Sequence, residues 1–135
     1  MRGTTMDSRF LLRAYIKSLK WILPVRDISY SAELVILEME DGGDFEYGFD
    51  DVVLMQCTGL TAVKSYRGDS AEDRLIWEGD VVRFNGLPEL CGVSWHEGGW
   101  CVRHDDGDEA IYYRYLFSVH GYCEIICTIY GGGLE

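Results

Sequence analysis

Two short runs in the middle of the chain, Val53-Leu54-Met55-Gln56-Cys57-Thr58-Gly59-Leu60 and Ile76-Trp77-Glu78-Gly79-Asp80-Val81-Val82, decide the fold. The first is apolar and ends at a threonine and a glycine, and glycine permits the positive φ that a tight bend demands. The second places a turn ahead of alternating residues that continue to Phe84, which is the pattern of a strand that follows a turn. Both runs predict β-strands that adjoin bends.

Strands are also predicted on the N-terminal side of these runs. Trp21 to Tyr30 is β-branched and aromatic enough to predict a strand, whereas Arg9 to Tyr15 fits a strand or a short helix. Residues 33–40 predict a strand, with a helix as the alternative. The turn residues 41–44 and the alternating residues 45–49 complete a hairpin over 33–49.

A hairpin and further strands are also predicted in the C-terminal half of the chain. Residues 91–103 predict a second hairpin, with Trp95 and Trp100 at its closed end. Two further strands are predicted over 112–119 and 122–130. Many short strands with glycine turns predict a mainly β fold, as a small barrel or a sandwich with at most short helices.

The length of 135 residues fits a single domain with one hydrophobic core. We expect residues 1–8 to be flexible and residues 131–135 to form a tail. The polar stretch 61–74 predicts an exposed loop. Met6 is an alternative start to Met1.

The net charge of −11 is unevenly distributed. Residues 1–26 contain six basic side chains and one acidic one, whereas residues 33–51 contain eight acidic side chains and no basic one. Such a surface repels phosphates, so direct binding of DNA or RNA is disfavoured. The acidic face is interpreted as a solvated surface, with docking of a basic partner as the alternative.

Localisation is predicted from what the sequence lacks. Its apolar runs are shorter than the eighteen or so residues of a membrane span, and its N-terminus has no secretory pattern. The sequence therefore predicts a soluble cytoplasmic protein. Five cysteines, an odd number, fit free thiols in a reducing compartment.

The two central runs resemble the YopX-like family of bacteriophage and prophage proteins, in which a similar apolar segment ending in threonine and glycine precedes a turn and a Glu-Gly-Asp strand entry. The run 13–15 resembles an N-terminal family element, and residues 124–130 resemble the C-terminal strand. Three departures are a longer link between Leu60 and Ile76, Cys57 where an aromatic residue is common, and Cys127 where glycine is common.

The resemblance implies one YopX-like domain over 1–135, a mainly β fold with an SH3-like barrel and additional N-terminal strands, and a phage or prophage origin in a bacterial host. It implies no established molecular activity. The polar motif residues are interpreted as turn and barrel determinants, with Asp80 as an acceptor for backbone N–H groups. The motif residues with this structural interpretation are Leu54, Gln56, Thr58, Gly59, Glu78, Gly79 and Asp80.

Candidate chemistry is sparse. His96, Cys101 and His104, with Cys91 across the hairpin, have metal-ligand side chains but no established metal-binding spacing, and residues 105–109 lack the spaced calcium-loop pattern. The sequence contains no nucleophile elbow and no phosphate-binding glycine loop that opens a helix. We therefore predict no enzyme activity, no catalytic residue, no metal and no cofactor.

Aromatic residues concentrate in the second half of the chain. SH3-like barrels often use exposed aromatic side chains between their loops to bind extended peptides. We interpret most of them as packing residues. The candidate binding residues of an aromatic groove are Trp77, Trp95, Trp100 and Tyr113.

The sequence therefore predicts a non-enzymatic protein-interaction module whose partner is unknown and is a host protein or a second copy of the chain. The alternative is an acidic mimic of nucleic acid that blocks a host DNA-binding protein, since the net charge is −11.

Overall fold

The structure is a computed structural model, and it describes residues 11–84, 90–105 and 111–131. Strands make up 62% of these residues and helical turns 9%. No helix within the described ranges reaches seven residues. The predicted mainly β fold with at most short helices is therefore confirmed.

The chain forms twelve strands and three short helical turns in the described residues. The strands are β1 (Leu12–Ile16), β2 (Trp21–Ser29), β3 (Leu34–Glu38), β4 (Asp44–Gly48), β5 (Val52–Thr61), β6 (Lys64–Ser65), β7 (Leu75–Trp77), β8 (Asp80–Phe84), β9 (Leu90–His96), β10 (Gly99–Asp105), β11 (Ile111–Tyr115) and β12 (Cys123–Thr128). The helix α1 is Leu116–Val119, and 3-10 turns lie at Phe49–Asp51 and His120–Tyr122.

The strands pair into antiparallel or mixed sheets, and within the described ranges the pairing does not close a sheet into a barrel. The SH3-like barrel therefore stays a prediction. None of the described helices is long and apolar enough to cross a membrane.

The chain divides into two compact units, Met1–Gln56 and Cys57–Glu135, and β5 runs across the division. The assignment of residues 1–135 to one domain stays a prediction. The expectation for residues 1–8 lies outside the described residues, and Gly131 is the one described residue of the predicted tail.

In the first unit the strands lie in the order β4, β3, β2, β1 and the first half of β5, and each neighbouring pair is antiparallel. Alternate residues of a strand face opposite sides, so Val35 and Leu37 of β3 point into the core while Leu34 and Ile36 are only partly buried. The predicted hairpin over 33–49 is therefore present as strands β3 and β4. The buried core residues are Ala14, Ile16, Val35, Leu37 and Val52.

In the second unit the strands β11, β10, β9, β8, β12 and β6 lie side by side in that order, and the end of β5 pairs with β7. Only the β12–β6 pair is parallel among the described strand pairs. The predicted second hairpin is formed by β9 and β10. The buried core residues are Ala62, Ile76, Val82, Cys91, Val93, Val102, Leu116, Cys123 and Ile125.

The segment 61–74, predicted to be an exposed loop, is exposed at residues 63, 64, 66 and 69–72, and the residues between them are buried or partly buried. Ala62 and Ser65 are buried, and β6 pairs with β12. The Arg67 side chain turns inward to the carboxylate of Asp80. A charged partner inside the unit therefore ties down a stretch whose polar composition predicts solvent exposure.

The end of the chain also differs from the predicted strand over 112–119. Strand β11 ends at Tyr115, and α1 follows directly. Leu116 is fully buried in the core of the second unit, whereas Phe117 is exposed. The short helix therefore separates two adjacent apolar residues into core and surface positions.

Candidate functional site

An open groove of about 420 Å³ on the second unit brings three aromatic side chains together. Trp100 lines it from β10, Tyr115 from the end of β11 and Phe117 from α1. The end of β5 contributes two further lining residues, Thr58 and Leu60. The residues of this aromatic groove are Thr58, Leu60, Gly99, Trp100, Tyr115 and Phe117.

The rim of the aromatic groove is exposed and its floor is anchored in the core. Phe117 is 78% exposed and Tyr115 is 55% exposed. Trp100 and Leu60 are partly buried and pack against the core of the second unit. A ligand would therefore meet apolar surface that is held in place from beneath.

Gly99 lets the Tyr115 ring lie directly on the backbone of β10. A Cβ atom at Gly99 would lie 2.8 Å from Cε1 and 3.0 Å from Cδ1 of Tyr115. Such distances are too short for real carbon contacts, so any side chain at this position would displace the ring. The glycine therefore sets the position of one wall of the groove.

The hydroxyl of Thr58 is already engaged within the protein. It donates to the carbonyl of Ile76 at 2.7 Å and accepts the backbone N–H of Leu60 at 3.1 Å. These bonds hold the bend of β5, where Gly59 has a φ of +80° and the register with β7 shifts. The bend brings Leu60 to the groove, with the Thr58 hydroxyl bonded across it and Gly59 at its positive φ.

The structure brings together two of the four predicted binding residues. Trp95 and Trp100 lie opposite each other in β9 and β10, with ring centroids 5.2 Å apart and an interplanar angle of 83°. Trp100 lines the aromatic groove, and the 57% exposed Trp95 packs edge-on against it.

The other two predicted binding residues have different positions. Trp77 lies in β7, is partly buried and donates its backbone N–H to Asp80 at 2.8 Å. Tyr113 lies in β11, where its backbone pairs with Arg103. Trp77 is not among the residues that line the aromatic groove, and Tyr113 is described by this backbone pairing alone.

Asp80 is the centre of a buried hydrogen-bond network. Its side chain is 0% exposed and accepts two hydrogen bonds from the Arg67 guanidinium, at 3.1 and 2.8 Å. It also accepts the backbone N–H of Trp77 at 2.8 Å. Arg67 further donates to the carbonyl of Leu75 at 2.9 Å and lies over the Tyr66 ring. Arg67 and Asp80 therefore join the segment 61–74 to the start of β8.

The remaining motif residues also lie at bends and strand surfaces. Gly79 is buried with a φ of +87°, so it occupies a conformation that favours glycine. Glu78 is partly buried beside it, whereas Leu54 and Gln56 are exposed on β5. Exposure of Leu54 limits its contribution to packing.

The described residues contain no group of three His, Cys, Asp or Glu side chains arranged to hold a metal ion. His96 Nε2 lies 3.8 Å from Glu97, and the Cys101 thiol donates to the His96 carbonyl. His104 is described by its backbone pairing with Tyr112. Of the acidic run 105–109, only Asp105 lies in the described residues.

All five cysteines are buried free thiols. Burial, together with the nearby charges of Asp80 and Cys91, raises the pKa of Cys123 to about 12. Burial and the charge of Asp80 also raise the pKa of Cys127. Since the thiolate is the reactive form, these residues are poor nucleophiles in the folded protein.

This raised pKa predicts a loss of stability at alkaline pH. The unfolded Cys123 thiol releases its proton from about pH 9, while the folded thiol keeps it to about 12, so the unfolded state binds fewer protons in this interval. Stability should therefore be complete below pH 9 and fall as the pH rises. In urea unfolding at several pH values, Cys123→Ala should flatten this slope by about 1 kcal/mol per pH unit. Equal slopes for the two proteins would contradict the prediction.

Tyr115 and Phe117 are functional candidates that the sequence does not single out as binding residues. Phenylalanine is typically a core residue, and its position here depends on α1, within a segment predicted to be a strand. The sequence shows many aromatic residues in the second half of the chain, Tyr115 among them, and this concentration is the feature that indicates a binding surface there. It did not distinguish groove residues from packing residues.

Comparison with known protein families found no match, and no curated protein matches the chain either. The resemblance to the YopX-like family therefore rests on the sequence motifs. The structure contributes the mainly β fold and the aromatic groove.

Proposed function

We propose that the chain is a non-enzymatic protein-interaction module that binds an extended segment of a partner protein. An apolar side chain of that segment enters the aromatic groove. The observation that carries this proposal is the exposure of Tyr115 and Phe117 beside a Trp100 anchored in the core. The module is of phage or prophage origin, acts in the cytoplasm of a bacterial host and takes no cofactor.

The composition of the aromatic groove supports a protein ligand. Tyrosine and tryptophan are enriched among residues that dominate binding energy, and contiguous exposed apolar surface often marks an interaction site. The hydroxyl of Thr58 is committed to internal hydrogen bonds. The groove therefore favours an apolar or aromatic anchor over a strongly polar one.

The strand arrangement supports an extended ligand. Among the described strands, β11 lies at the end of its sheet, and its last residue, Tyr115, lines the groove. An edge strand offers backbone donors and acceptors to an added strand, with side-chain pockets supplying specificity. An extended segment aligned with β11 would pass the groove with one side chain directed into it.

The phage or prophage origin is supported by the two motif runs around Thr58 and Asp80. Both have structural roles in the second unit, as hydrogen-bond acceptors at bends. Motifs that determine a fold carry no information about a reaction. The resemblance therefore supports the origin, and the groove supports the mode of action.

The proposal predicts that Phe117→Ala weakens peptide binding. Peptides selected from a random library on the wild-type protein should share an apolar anchor. Their dissociation constants, measured by calorimetry, should rise about tenfold for Phe117→Ala, because a central aromatic contact is lost. The expected stability change is small, since Phe117 is 78% exposed.

Tyr122→Ala is the matched control. Tyr122 is a 68% exposed aromatic residue of the same unit and is not among the residues lining the groove. Its removal should leave affinity within about twofold, the range expected of a contact outside the binding centre. Selected peptides without an apolar anchor, or peptides that bind both variants equally, would refute the proposal.

The nucleic-acid mimic is a second candidate, supported by the exposure of all eight acidic side chains of residues 33–51. The Phe117→Ala variant also separates the two functions, when its binding to a basic host protein is measured at low and at high salt. A mimic needs charge and does not need Phe117, so binding of a basic host protein that salt abolishes and Phe117→Ala leaves unchanged would favour mimicry.

A further inference from the structure

A second pocket, of about 580 Å³, lies on the first unit where β3 ends beside β2. Strand β2 pairs with β1 over Trp21–Pro24 and with β3 over Val25–Ser29. Its first residues therefore continue past the end of β3, and the turn that follows β3 faces them. The residues of this Trp21 pocket are Lys20, Trp21, Ile22, Leu23, Met39, Glu40 and Asp41.

The walls of the Trp21 pocket combine an indole ring, apolar side chains and carboxylates. Trp21 is 48% exposed. Ile22, Leu23 and Met39 are partly buried and form an apolar surface beside it. Glu40 and Asp41 are exposed at the same pocket. This combination matches a ligand with an apolar stem and a positive end.

Glu40 and Asp41 are not paired with any described cation of the first unit. Arg26 forms ion pairs with Glu38 and Asp44, whereas no ion pair of Glu40 or Asp41 occurs in the described part of the first unit. One oxygen of Asp41 accepts the backbone N–H of Gly43 at 2.8 Å, which fixes the direction of the carboxylate.

We infer that the Trp21 pocket binds a lysine or arginine side chain of a partner protein. The methylene stem would lie along Leu23 and Met39, and the cation would lie between the indole face and the two carboxylates. Lys20 supplies one positive charge against two negative ones, so the pocket stays negative. Residues 1–56 carry ten acidic and six basic side chains, so the surrounding charge also attracts a basic partner.

This inference uses residues that the aromatic groove does not contain, and it stands without the proposed function. It gives the acidic stretch 33–51 a specific recognition element. Charge alone attracts any basic surface, whereas a tryptophan flanked by carboxylates selects one side chain.

The test is a titration of the full chain with a Gly-Arg-Gly tripeptide whose two ends are chemically blocked. Binding is monitored through the NMR signal of the Trp21 indole N–H. The same tripeptide with citrulline keeps the shape and removes the charge. We expect a saturable shift of the Trp21 signal with arginine and at least about tenfold weaker binding with citrulline. Free arginine should bind more weakly than the tripeptide, because its charged α-ammonium and α-carboxylate groups would lose water beside the apolar surface of Leu23 and Met39, where the tripeptide has neutral amides.

Two variants with the same net charge decide whether the pocket or the overall field is responsible. Glu40→Gln with Asp41→Asn should weaken binding by up to about tenfold, the effect of losing two exposed ion pairs while the Trp21 ring stays in place. Glu46→Gln with Asp50→Asn neutralises two exposed acids of the same unit that do not line the pocket, and it should change affinity less than about twofold.

The inference is overturned if the Trp21 signal does not move, or if both variant pairs weaken binding equally. Free arginine binding as tightly as the tripeptide would overturn the assignment to a protein side chain. None of these outcomes depends on Phe117.

Discussion

Replacing Arg67 with methionine is expected to lower the free energy of unfolding of the second unit by about 3–5 kcal/mol, the range for removing one partner of a buried ion pair. Asp80 is 0% exposed and would lose both bonds from the guanidinium, keeping the N–H of Trp77. The carbonyl of Leu75 would lose its donor as well. An uncompensated carboxylate inside the unit is the main reason for the large effect.

The companion variants separate charge from packing. Arg67→Met with Asp80→Asn should be more stable than Arg67→Met alone, because the second change removes the stranded charge while asparagine still accepts the N–H of Trp77. Guanidinium chloride unfolding followed by tryptophan fluorescence measures this, since three of the four tryptophans lie in the second unit.

Arg74→Met is the matched control for the arginine side chain. Arg74 donates to the carbonyls of Ala62 and Asp69 and makes no bond to Asp80. Its loss should cost about 1 kcal/mol, the usual net value of hydrogen bonds to backbone groups. Equal costs for Arg67→Met and Arg74→Met would show that the buried pair has no special weight.

The strand pattern could be predicted because it depends on neighbours in sequence. Alternation in residues 33–49 and the glycine turn between Trp95 and Trp100 each specify a hairpin from local information. The bend at Gly59 follows from the freedom of glycine to adopt positive φ. These parts of the fold are present as predicted.

The parts that could not be predicted depend on distant partners. Arg67 lies in the stretch 61–74, whose composition is that of a solvated loop, and only the folded unit shows that its guanidinium turns inward to Asp80. The Trp21 pocket likewise depends on where β3 ends relative to β2. The hydrophobic pattern of a sequence indicates which residues are buried. It does not indicate which polar side chains, such as those of Arg67 and Asp80, will bind each other.

The candidate site was predicted in part for the same reason. Trp100 follows from its cross-strand partner Trp95, a local relation within one hairpin. Phe117 does not, because its exposure depends on the turn of α1 that buries Leu116 instead. An adjacent Leu-Phe pair fits either residue into the core, and tertiary packing makes the choice.

Leu116→Ala is therefore expected to affect both stability and binding. Leu116 is 0% exposed in the core of the second unit, between two residues that line the aromatic groove. Truncation should cost about 2–5 kcal/mol through lost burial and the remaining cavity. Because α1 would lose its anchor, selected peptides should also bind more weakly, although Leu116 does not line the groove.

Leu116→Met and Phe117→Ala separate these two effects. Methionine nearly conserves the volume, so Leu116→Met should cost less than about 1.5 kcal/mol and keep peptide affinity near that of wild type. Phe117→Ala should change the unfolding free energy by less than about 0.5 kcal/mol, as for an exposed position, while weakening binding. Denaturant unfolding and calorimetry on the three variants measure both quantities. If Leu116→Ala loses stability but binds peptide like wild type, the core under α1 supports the fold without positioning the groove, and recognition depends on the rim alone.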